Sequence, residues 1–466
     1  MILRLALRSL GVQPLRTLVL AAGFGLGIAV MAALLGVGEV IIEQAHAPAL
    51  RGGGDLVVSG VVSGVDNARF VLAQVLGAPG FRERSVAASP NRKTLLYLVK
   101  DGSSWPVQVH GGVPSLERAV GDPEVAGIGA WVDEPADRAW SHPQPEDILR
   151  DIDRFHQIPS VASGFRSSWA EWLYFNGRSS DGRLRFYLTF LAGAAQSDGT
   201  RPALVRLQLD RDGRTTNYGA AAPVDAADLL ARAPDLDIAG NRVRVSGAQY
   251  RLSLALDEEG GTRRRLEGDV TLDAPPGQSL PPAAIQGAQG WVSGYVVPVL
   301  SGALHGSLRI GSETIALDGA AGYHDHNWGF WEGVKWQWGQ VAGGDLSIVF
   351  GRVFPPPEAA DPARVPGVLG VLGPGGPIAF STDVTITEHN DAGTPRQIDV
   401  RAHDSRLDMR MTFTVEESVA TRMGLTRTAD GTPMQFLQLG GTYRVTGRAG
   451  DRTFAFETRG SAETFR

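Results

Sequence analysis

From about Phe165 onward the sequence alternates apolar and polar residues with a period of two. Leu184, Phe186, Leu188 and Phe190 alternate with Arg183, Arg185, Tyr187 and Thr189. Tyr250, Leu252, Leu254 and Leu256 repeat the device, followed by Leu266, Val270 and Leu272. Further on come Leu304, Leu308 and Ile310, then Met409, Met411, Phe413 and Val415, then Phe454 and Phe456. A period of two puts alternate side chains on opposite faces of a strand. Such runs, broken by Gly/Asp turns every ~8–12 residues, predict a mainly β chain of antiparallel sheets closed as barrels or sandwiches. The demand for turns accounts for 59 Gly and 28 Pro among 466 residues.

That length implies roughly two to four domains. With 43% hydrophobic and 20% charged residues, a wholly disordered chain is excluded. The absence of Cys excludes a disulfide scaffold, thiolate catalysis, Cys-ligated zinc and iron–sulfur clusters. A net charge of −6 argues against nucleic acid as a main partner. The basic residues are 41 Arg and 3 Lys, a compositional bias that leaves a single Arg little functional weight. No cofactor is implied.

Residues 18–38 carry no charge and are rich in Leu, Ala, Val and Gly. That is enough helix for a hydrocarbon core of ~30 Å. Arg4, Arg8 and Arg16 precede the stretch, and Glu39 and Glu43 follow it. The positive-inside rule then leaves the amino terminus in the cytoplasm and the rest of the chain outside. Ala45-His46-Ala47 has the form of a signal-peptidase site. The apolar run, however, exceeds the roughly 7–15 residues of a signal peptide. The expected organisation is a cytoplasmic tip and single-pass inner-membrane anchor over 1–45, with the domains beyond it extracytoplasmic or periplasmic. Residues 46–150 form a small membrane-proximal domain and linker. Within it, 94–99 reads as a strand, 115–120 as a brief helix, and the Pro/Asp/Glu-rich 133–146 as the linker. The Pro-rich stretch 273–282 is the expected joint between two β units, 151–280 and 281–466. A second Pro/Gly stretch, 355–377, reads as a long loop of the second unit.

The densest chemistry lies at 322–340. Four of the ten Trp, Trp328, Trp331, Trp336 and Trp338, fall there, and two of the nine His flank one Asp. If 323–327 is extended, Tyr323, Asp325 and Asn327 share one face and His324 and His326 the other. Three readings stand side by side. A metal site would use His324 and His326 with a third ligand such as Glu332. An acid–base site would use Asp325 and Tyr323 against aromatic walls, where burial raises the Asp pKa and keeps its proton available. A structural role would have Asp and Asn organising turns, His bonding to backbone, and Trp filling a barrel. His389 and His403 are isolated and read as surface or hydrogen-bonding residues.

The run Gly322-Tyr323-His324-Asp325-His326-Asn327-Trp328-Gly329 resembles the signature of the AttH / carotenoid 1,2-hydratase (hydroxyneurosporene synthase, CrtC) family. Trp291, Val297-Pro298-Val299-Leu300, Gly306, Leu308, Gly311, Ile315 and Leu317-Asp318-Gly319 lead into it with similar spacing. Trp169-Ala-Glu171-Trp172-Leu-Tyr174 resembles the family's opening strand. The likeness spans about 165–466. It implies two tandem lipocalin-like antiparallel β-barrels, the second carrying the signature, behind one transmembrane helix. It also implies a large apolar ligand, isoprenoid or lipid-like, and a hydro-lyase or cyclase acting on a C=C bond. Asp325 would then be the proton donor, and Tyr323 would orient water or support a cation. His324 and His326 belong to the same catalytic group. Trp328, Trp331 and Trp336 would stabilise positive charge, with Trp338, Tyr174 and Tyr295 completing the substrate side. Tyr295 is the aromatic where hydratases of the family carry a His and a Trp. Glu171, on the other barrel, is a second carboxylate candidate.

The opening Leu5-Ala6-Leu7-Arg8-Ser9-Leu10, with Pro14-Leu15-Arg16-Thr17, resembles the first helix of FtsX/MacB-type ABC-transporter permeases. Gly54-Asp55-Leu56-Val57-Val58 resembles the start of their extracytoplasmic part. This implies a permease-derived anchor and an ABC transporter as partner. The alternative function is a non-catalytic lipocalin-like carrier serving a lipid exporter.

Overall fold

The computed structural model describes residues 56–58, 65, 67–77 and 87–465, apart from 102, 123–124, 126–128, 161–164, 180, 261–263, 392 and 428–432. The expected anchor at 18–38 and the permease-like opening lie outside the described residues. Among the described residues no helix is long and apolar enough to cross a membrane. The chain divides into two compact units. One comprises Met1–Val65 and Ala87–Asp137, the other Asp66–Val86 and Arg138–Arg466.

The smaller unit holds an antiparallel hairpin of Asn91–Lys100 and Ser103–Gly112, in register from Asn91↔Gly112 to Lys100↔Ser103. A one-and-a-half-turn helix, Pro114–Ala119, follows with Pro in its first turn, where a missing N–H is harmless. Its Glu117 is buried and lies 2.9 Å from Nε2 of His110. The strand and helix expected at 94–99 and 115–120 are both present, the strand longer than the apolar run that signals it.

The larger unit begins earlier than expected. Within 133–150, helices form at Arg138–Ser141 and Pro145–Ile152, and both belong to the larger unit. The second helix is amphipathic, with acidic Glu146 and Asp147 in its first turn and Leu149 and Ile152 buried.

An eight-strand ring follows, in chain order. Trp169–Arg178 pairs with Leu184–Ala192, then Ala203–Arg211, Arg214–Ala221, Gln249–Glu258, Arg265–Asp273, Val292–Ile310 and Ala320–Phe330. The last strand pairs back onto the first, from Ala321↔Arg178 to Phe330↔Trp169. This is an up-and-down antiparallel barrel whose ring closes between Arg214–Ala221 and Gln249–Glu258 through only two pairs, Asp257↔Gly219 and Glu258↔Tyr218, while Tyr250–Ser253 of the latter strand pair with Asn241–Val245. The Gln249–Glu258 strand buries every second residue, including Tyr250, Leu252, Leu254 and Leu256, and exposes Arg251 and Ser253. On Leu184–Ala192 both faces are covered: Phe186, Leu188 and Phe190 point inward, while Arg185 and Tyr187 are buried on the outside.

The expected boundary at 281 is corrected by this pairing. Val292–Ile310 and Ala320–Phe330, and with them the Tyr-His-Asp-His-Asn-Trp-Gly run, complete the first barrel rather than opening a second one. The Pro-rich joint leads into a strand, Leu280–Gln286, that lies along Val292–Ile310. Pro281 and Pro282 are tolerated there because this strand has no ladder on its other side.

The second sheet has nine strands. Lys335–Gly343, Leu346–Phe354, Val368–Gly373 and Gly376–Ser381 run in order to one edge. Asp383–Asp391, Thr394–Asp404, Leu407–Arg427, Pro433–Ala449 and Arg452–Phe465 run in order from the other. Arg452–Phe465 pairs with Lys335–Gly343, so the sheet repeats the last-to-first pairing of the barrel. It differs at the seam between Gly376–Ser381 and Asp383–Asp391, which are not paired. The second barrel expected from the sequence is therefore an open, curled sheet around Phe350, Leu369, Met411, Phe413, Leu439 and Tyr443. The stretch 355–377 is not one long loop, because Val368–Gly373 is a buried strand of this sheet.

Candidate functional site

The central strand is Ala320–Phe330, buried at almost every position. Its neighbour Val292–Ile310 shifts register between Val296 and Val299, at the point where Pro298 offers no N–H to the ladder. The alternation expected for residues 323–327 holds. Tyr323, Asp325 and Asn327 leave the barrel on its outer face, toward the second sheet. His324, His326 and Trp328 point into the barrel.

On the outer face, Tyr174 stands directly opposite Asp325, and Tyr295 opposite Asn327. The Tyr323 hydroxyl donates to Oδ2 of Asp325 at 2.7 Å, and Nδ2 of Asn327 donates to Oδ1 at 2.6 Å. Nε1 of Trp338 donates to the Tyr323 oxygen at 2.9 Å. Nε1 of Trp336 donates to Oε1 of Glu463 at 3.2 Å. Tyr295 meets the Trp338 ring edge-on at 4.9 Å, and Trp336 stacks on Phe465 at 4.1 Å. Tyr174, Tyr187, Tyr323, Trp338, Val349 and Leu372 form one buried cluster joining barrel and second sheet. Trp172, Tyr295, Asn327, Trp336 and Glu463 are only half-buried, so one side of this aromatic cluster lies at the surface.

Burial pushes the Asp325 carboxyl up to about 6, against the hydrogen bonds from Tyr323 and Asn327, which favour its ionised form. Glu463 is pushed up to about 8, first by burial and then by the negative charge of Asp325. Two carboxyls in one crevice with separated proton affinities are a recognised basis for acid–base work.

The inner face holds a different constellation. The residue after helix Pro145–Ile152 is Asp153, fully buried at the barrel end marked by Ile152, Trp169, Trp291 and Phe330. Its Oδ2 lies 3.0 Å from Nε2 of His324, and its Oδ1 lies 3.0 Å from Nδ1 of His326. Nδ1 of His324 is 2.9 Å from the Tyr174 carbonyl, and its ring stacks on Phe175 at 4.1 Å. Nε2 of His326 lies 3.1 Å from Oε1 of Glu171, which also accepts from Nδ1 of His156 at 2.8 Å. Arg201 stands 3.7 Å from the other Glu171 oxygen. Burial pulls the His326 pKa down, but Asp153 and Glu171 carry it up to about 9. Burial likewise raises both carboxyls, but the histidines hold Asp153 and Glu171 below the ordinary carboxylate range.

The metal reading placed its third ligand at Glu332, which is exposed and stands apart from both histidines. The structure instead groups His156, Glu171 and His326, with ligand atoms within 4.8 Å of one another. Nε2 of His326 hydrogen-bonds Glu171, while its Nδ1 stands 3.0 Å from Oδ1 of Asp153 without hydrogen-bond alignment; the two carboxylates favour the protonated ring. Asp153 and Glu171 thus sit among His324, His326, His156 and Arg201, all within ion-pair distance of one or other carboxylate.

The sequence-expected residues thus separate into two groups, on the two faces of the Ala320–Phe330 strand and its neighbours. Asp325, Tyr323, Tyr174, Tyr295, Trp336 and Trp338 share the crevice. His324, His326, Glu171 and Trp328 do not, because odd and even positions of a strand face opposite ways. Trp328 stacks on His156 at 4.1 Å. Trp331 bridges toward the crevice, 4.6 Å from Trp172, and donates to the Ala170 carbonyl. Glu171 belongs to the same barrel as the signature, not to another one, and faces away from Asp325. Three residues escaped sequence reasoning. Glu463 comes from the last strand of the chain, and nothing in its neighbourhood marks it. Asp153 and His156 follow an amphipathic helix whose C-terminal end could have drawn attention to them.

No family model matches the chain, and no curated protein matches it. Solved structures to which it is similar include an AttH protein from Nitrosomonas europaea, at 15% identity and TM-score 0.42, covering 66% of this chain and 98% of that one. CghA with Sch210972 is similar at 12% identity and TM-score 0.42, over 69% of this chain and 95% of its own. Kievitone hydratase from Nectria haematococca is similar at 12% identity and TM-score 0.41, over 65% and 92%. The architecture described above rests on its own strand pairing.

Proposed function

We propose that the chain binds a large apolar molecule, isoprenoid or lipid-like, in the crevice around Asp325 and adds water to, or cyclises, one of its C=C bonds by acid catalysis. The observation that carries this reading is the buried Asp325 carboxyl, raised to about 6, set among Tyr and Trp side chains with one side at the surface. The protonated Asp325 gives its proton to one alkene carbon and becomes a carboxylate. The other carbon becomes a tertiary cation, faced by the π clouds of Trp336 and Trp338. In hydration, water adds to the cation and its surplus proton returns to the Asp325/Glu463 pair, restoring the starting state. In cyclisation, a second double bond attacks instead and a carbon-bound proton is lost to the same pair. Tyr323, bonded to Asp325, fixes the carboxyl and can hold the water. A hydratase among the similar structures fits this class of reaction. The expected span at 18–38, with three Arg before and two Glu after it, supports an anchored, extracytoplasmic enzyme fed from the membrane.

The test is mass spectrometry of apolar molecules co-purified with the full chain, followed by turnover of the recovered molecule by wild type and Asp325→Asn. The variant is expected to retain the molecule and lose turnover. Full activity in the variant would overturn the assignment. A molecule that wild type also leaves unchanged would assign the protein to carriage rather than catalysis.

A further inference from the structure

The hairpin of the smaller unit exposes an uninterrupted apolar run. Leu95, Leu96, Tyr97, Leu98 and Val99 are 53–70% exposed, and on the paired strand Trp105 and Val107 are 49% and 41% exposed. Because neighbouring strand residues face opposite ways, five consecutive exposed residues mean that both faces of the hairpin are apolar. Leu56, Val57 and Val58 of the same unit are 80%, 50% and 61% exposed. A two-stranded hairpin is marginal in water even with one face polar, and this one has no polar face along 95–99.

We infer that this hairpin is an interfacial membrane element that beds into the headgroup–acyl boundary of an anionic bilayer. A docked protein or an added strand would cover one face or one edge, whereas both faces of this hairpin carry large aliphatic side chains. Immersion in lipid covers both. The apolar band of 94–99 is ~20 Å long at ~3.3 Å per residue. That is short of the roughly 9–11 residues per strand needed to span, so the hairpin lies in the boundary rather than crossing it. Cations close both ends of the band: Arg92 at the open end and Lys100 at the turn, both exposed, ~26 Å apart along the strand. Lysine is scarce in this chain, and two of its three, Lys93 and Lys100, fall on this one strand. Tyr97 and Trp105 are the residue types that settle at headgroup level. The inference rests on the membrane placement proposed above, but it concerns a second, independent contact.

The absence of native Cys makes the test direct, since a single introduced thiol is labelled uniquely. Full-length Leu96→Cys, Leu98→Cys, Ala32→Cys and Thr385→Cys chains are labelled with a polarity-sensitive dye. They are reconstituted in vesicles of phosphatidylethanolamine and phosphatidylglycerol with brominated acyl chains. The labels at 96 and 98 should be quenched several-fold more by the brominated lipid than the label at Thr385, an exposed strand position of the other unit, and should resist aqueous iodide. Accessibility to iodide overturns the inference, as does shielding from both quenchers, which would mean a protein cover. The label at Ala32 reads the anchor separately. If it is unprotected while 96 and 98 are lipid-quenched, the anchor fails and the hairpin stands.

Discussion

The phenolic oxygen of Tyr323 stands 2.7 Å from Oδ2 of Asp325, two positions along one strand, and receives Nε1 of Trp338 from the second sheet at 2.9 Å. The candidate acid is thus held by its own strand and by a residue of the other sheet. Tyr323→Phe removes the donor that favours the ionised carboxyl, so the Asp325 pKa should rise above about 6. If Tyr323 only positions Asp325, kcat falls ~10–100-fold with little change in KM, less than the ~10²–10⁴-fold contributed by a group that itself transfers the proton. An upward shift of the pH above which activity is lost distinguishes this from a loss of packing.

Asp325 has a folded pKa raised to about 6 from the usual carboxylate value. For a raised acid, the relative stabilisation is full below the unfolded pKa and is lost as pH rises through the folded one. Between about pH 4 and pH 6 wild type should therefore lose up to ~3 kcal/mol more stability than Asp325→Asn, which keeps only the contribution of the other groups, Glu463 among them. Chemical denaturation of both proteins across this range reads the difference directly.

Glu463 shares the crevice and is raised to about 8, in part by the Asp325 charge. In Asp325→Asn that charge is gone and the Glu463 pKa should fall, as carbon-13 NMR of labelled glutamate would show. Glu463→Gln should remove the limb near pH 8 from the activity profile while leaving the fall in activity above about pH 6 that deprotonation of Asp325 brings. An unchanged two-limbed profile would separate Glu463 from the chemistry.

His326 carries the opposite kind of group with the same sign of pH dependence. As an imidazolium raised to about 9, it stabilises fully below the unfolded value of about 6.5, and that stability is lost as pH rises through 9. Asp153→Ala leaves the His326 charge with one partner fewer and should cost about 3–5 kcal/mol. Because Asp153 ties the end of helix Pro145–Ile152 into the barrel, amide exchange should quicken across 145–156 before it quickens in the strands.

Gly294 packs against the Trp328 ring, and a Cβ there would stand 2.4 Å from ring carbons. Gly294→Val should destabilise by about 1–3 kcal/mol through overpacking, visible as a lowered Tm. Its effect on activity should be small, since Trp328 lies on the barrel side of the strand.

Much of the larger unit was legible as pattern. The period-two runs at 184–190 and 250–256 became strands with the expected inward residues, and 323–327 divided into the two faces its spacing implied. The boundary at 281 failed because Pro and Gly mark where a chain turns and are silent about which sheet it rejoins. Strand Val292–Ile310 carries no local sign that it closes a barrel begun at Trp169. The burial of Arg185 and Tyr187 was equally hidden, since their outer face looks solvent-bound until the second sheet covers it. That Glu171 meets His326 rather than Asp325 was likewise hidden, because their contact is set by pairing Trp169–Arg178 with Ala320–Phe330.

By itself the sequence determined the kind of secondary structure, the absence of thiol chemistry and the strand on which the candidate side chains sit, because these depend on side-chain type and local spacing. Only the tertiary structure decided that Asp325 faces Glu463 and a Trp-lined crevice while His326 faces Asp153 and Glu171. Closing an eight-strand ring brings residues more than 150 positions apart to hydrogen-bond distance, and burial there sets proton affinities that no local segment fixes.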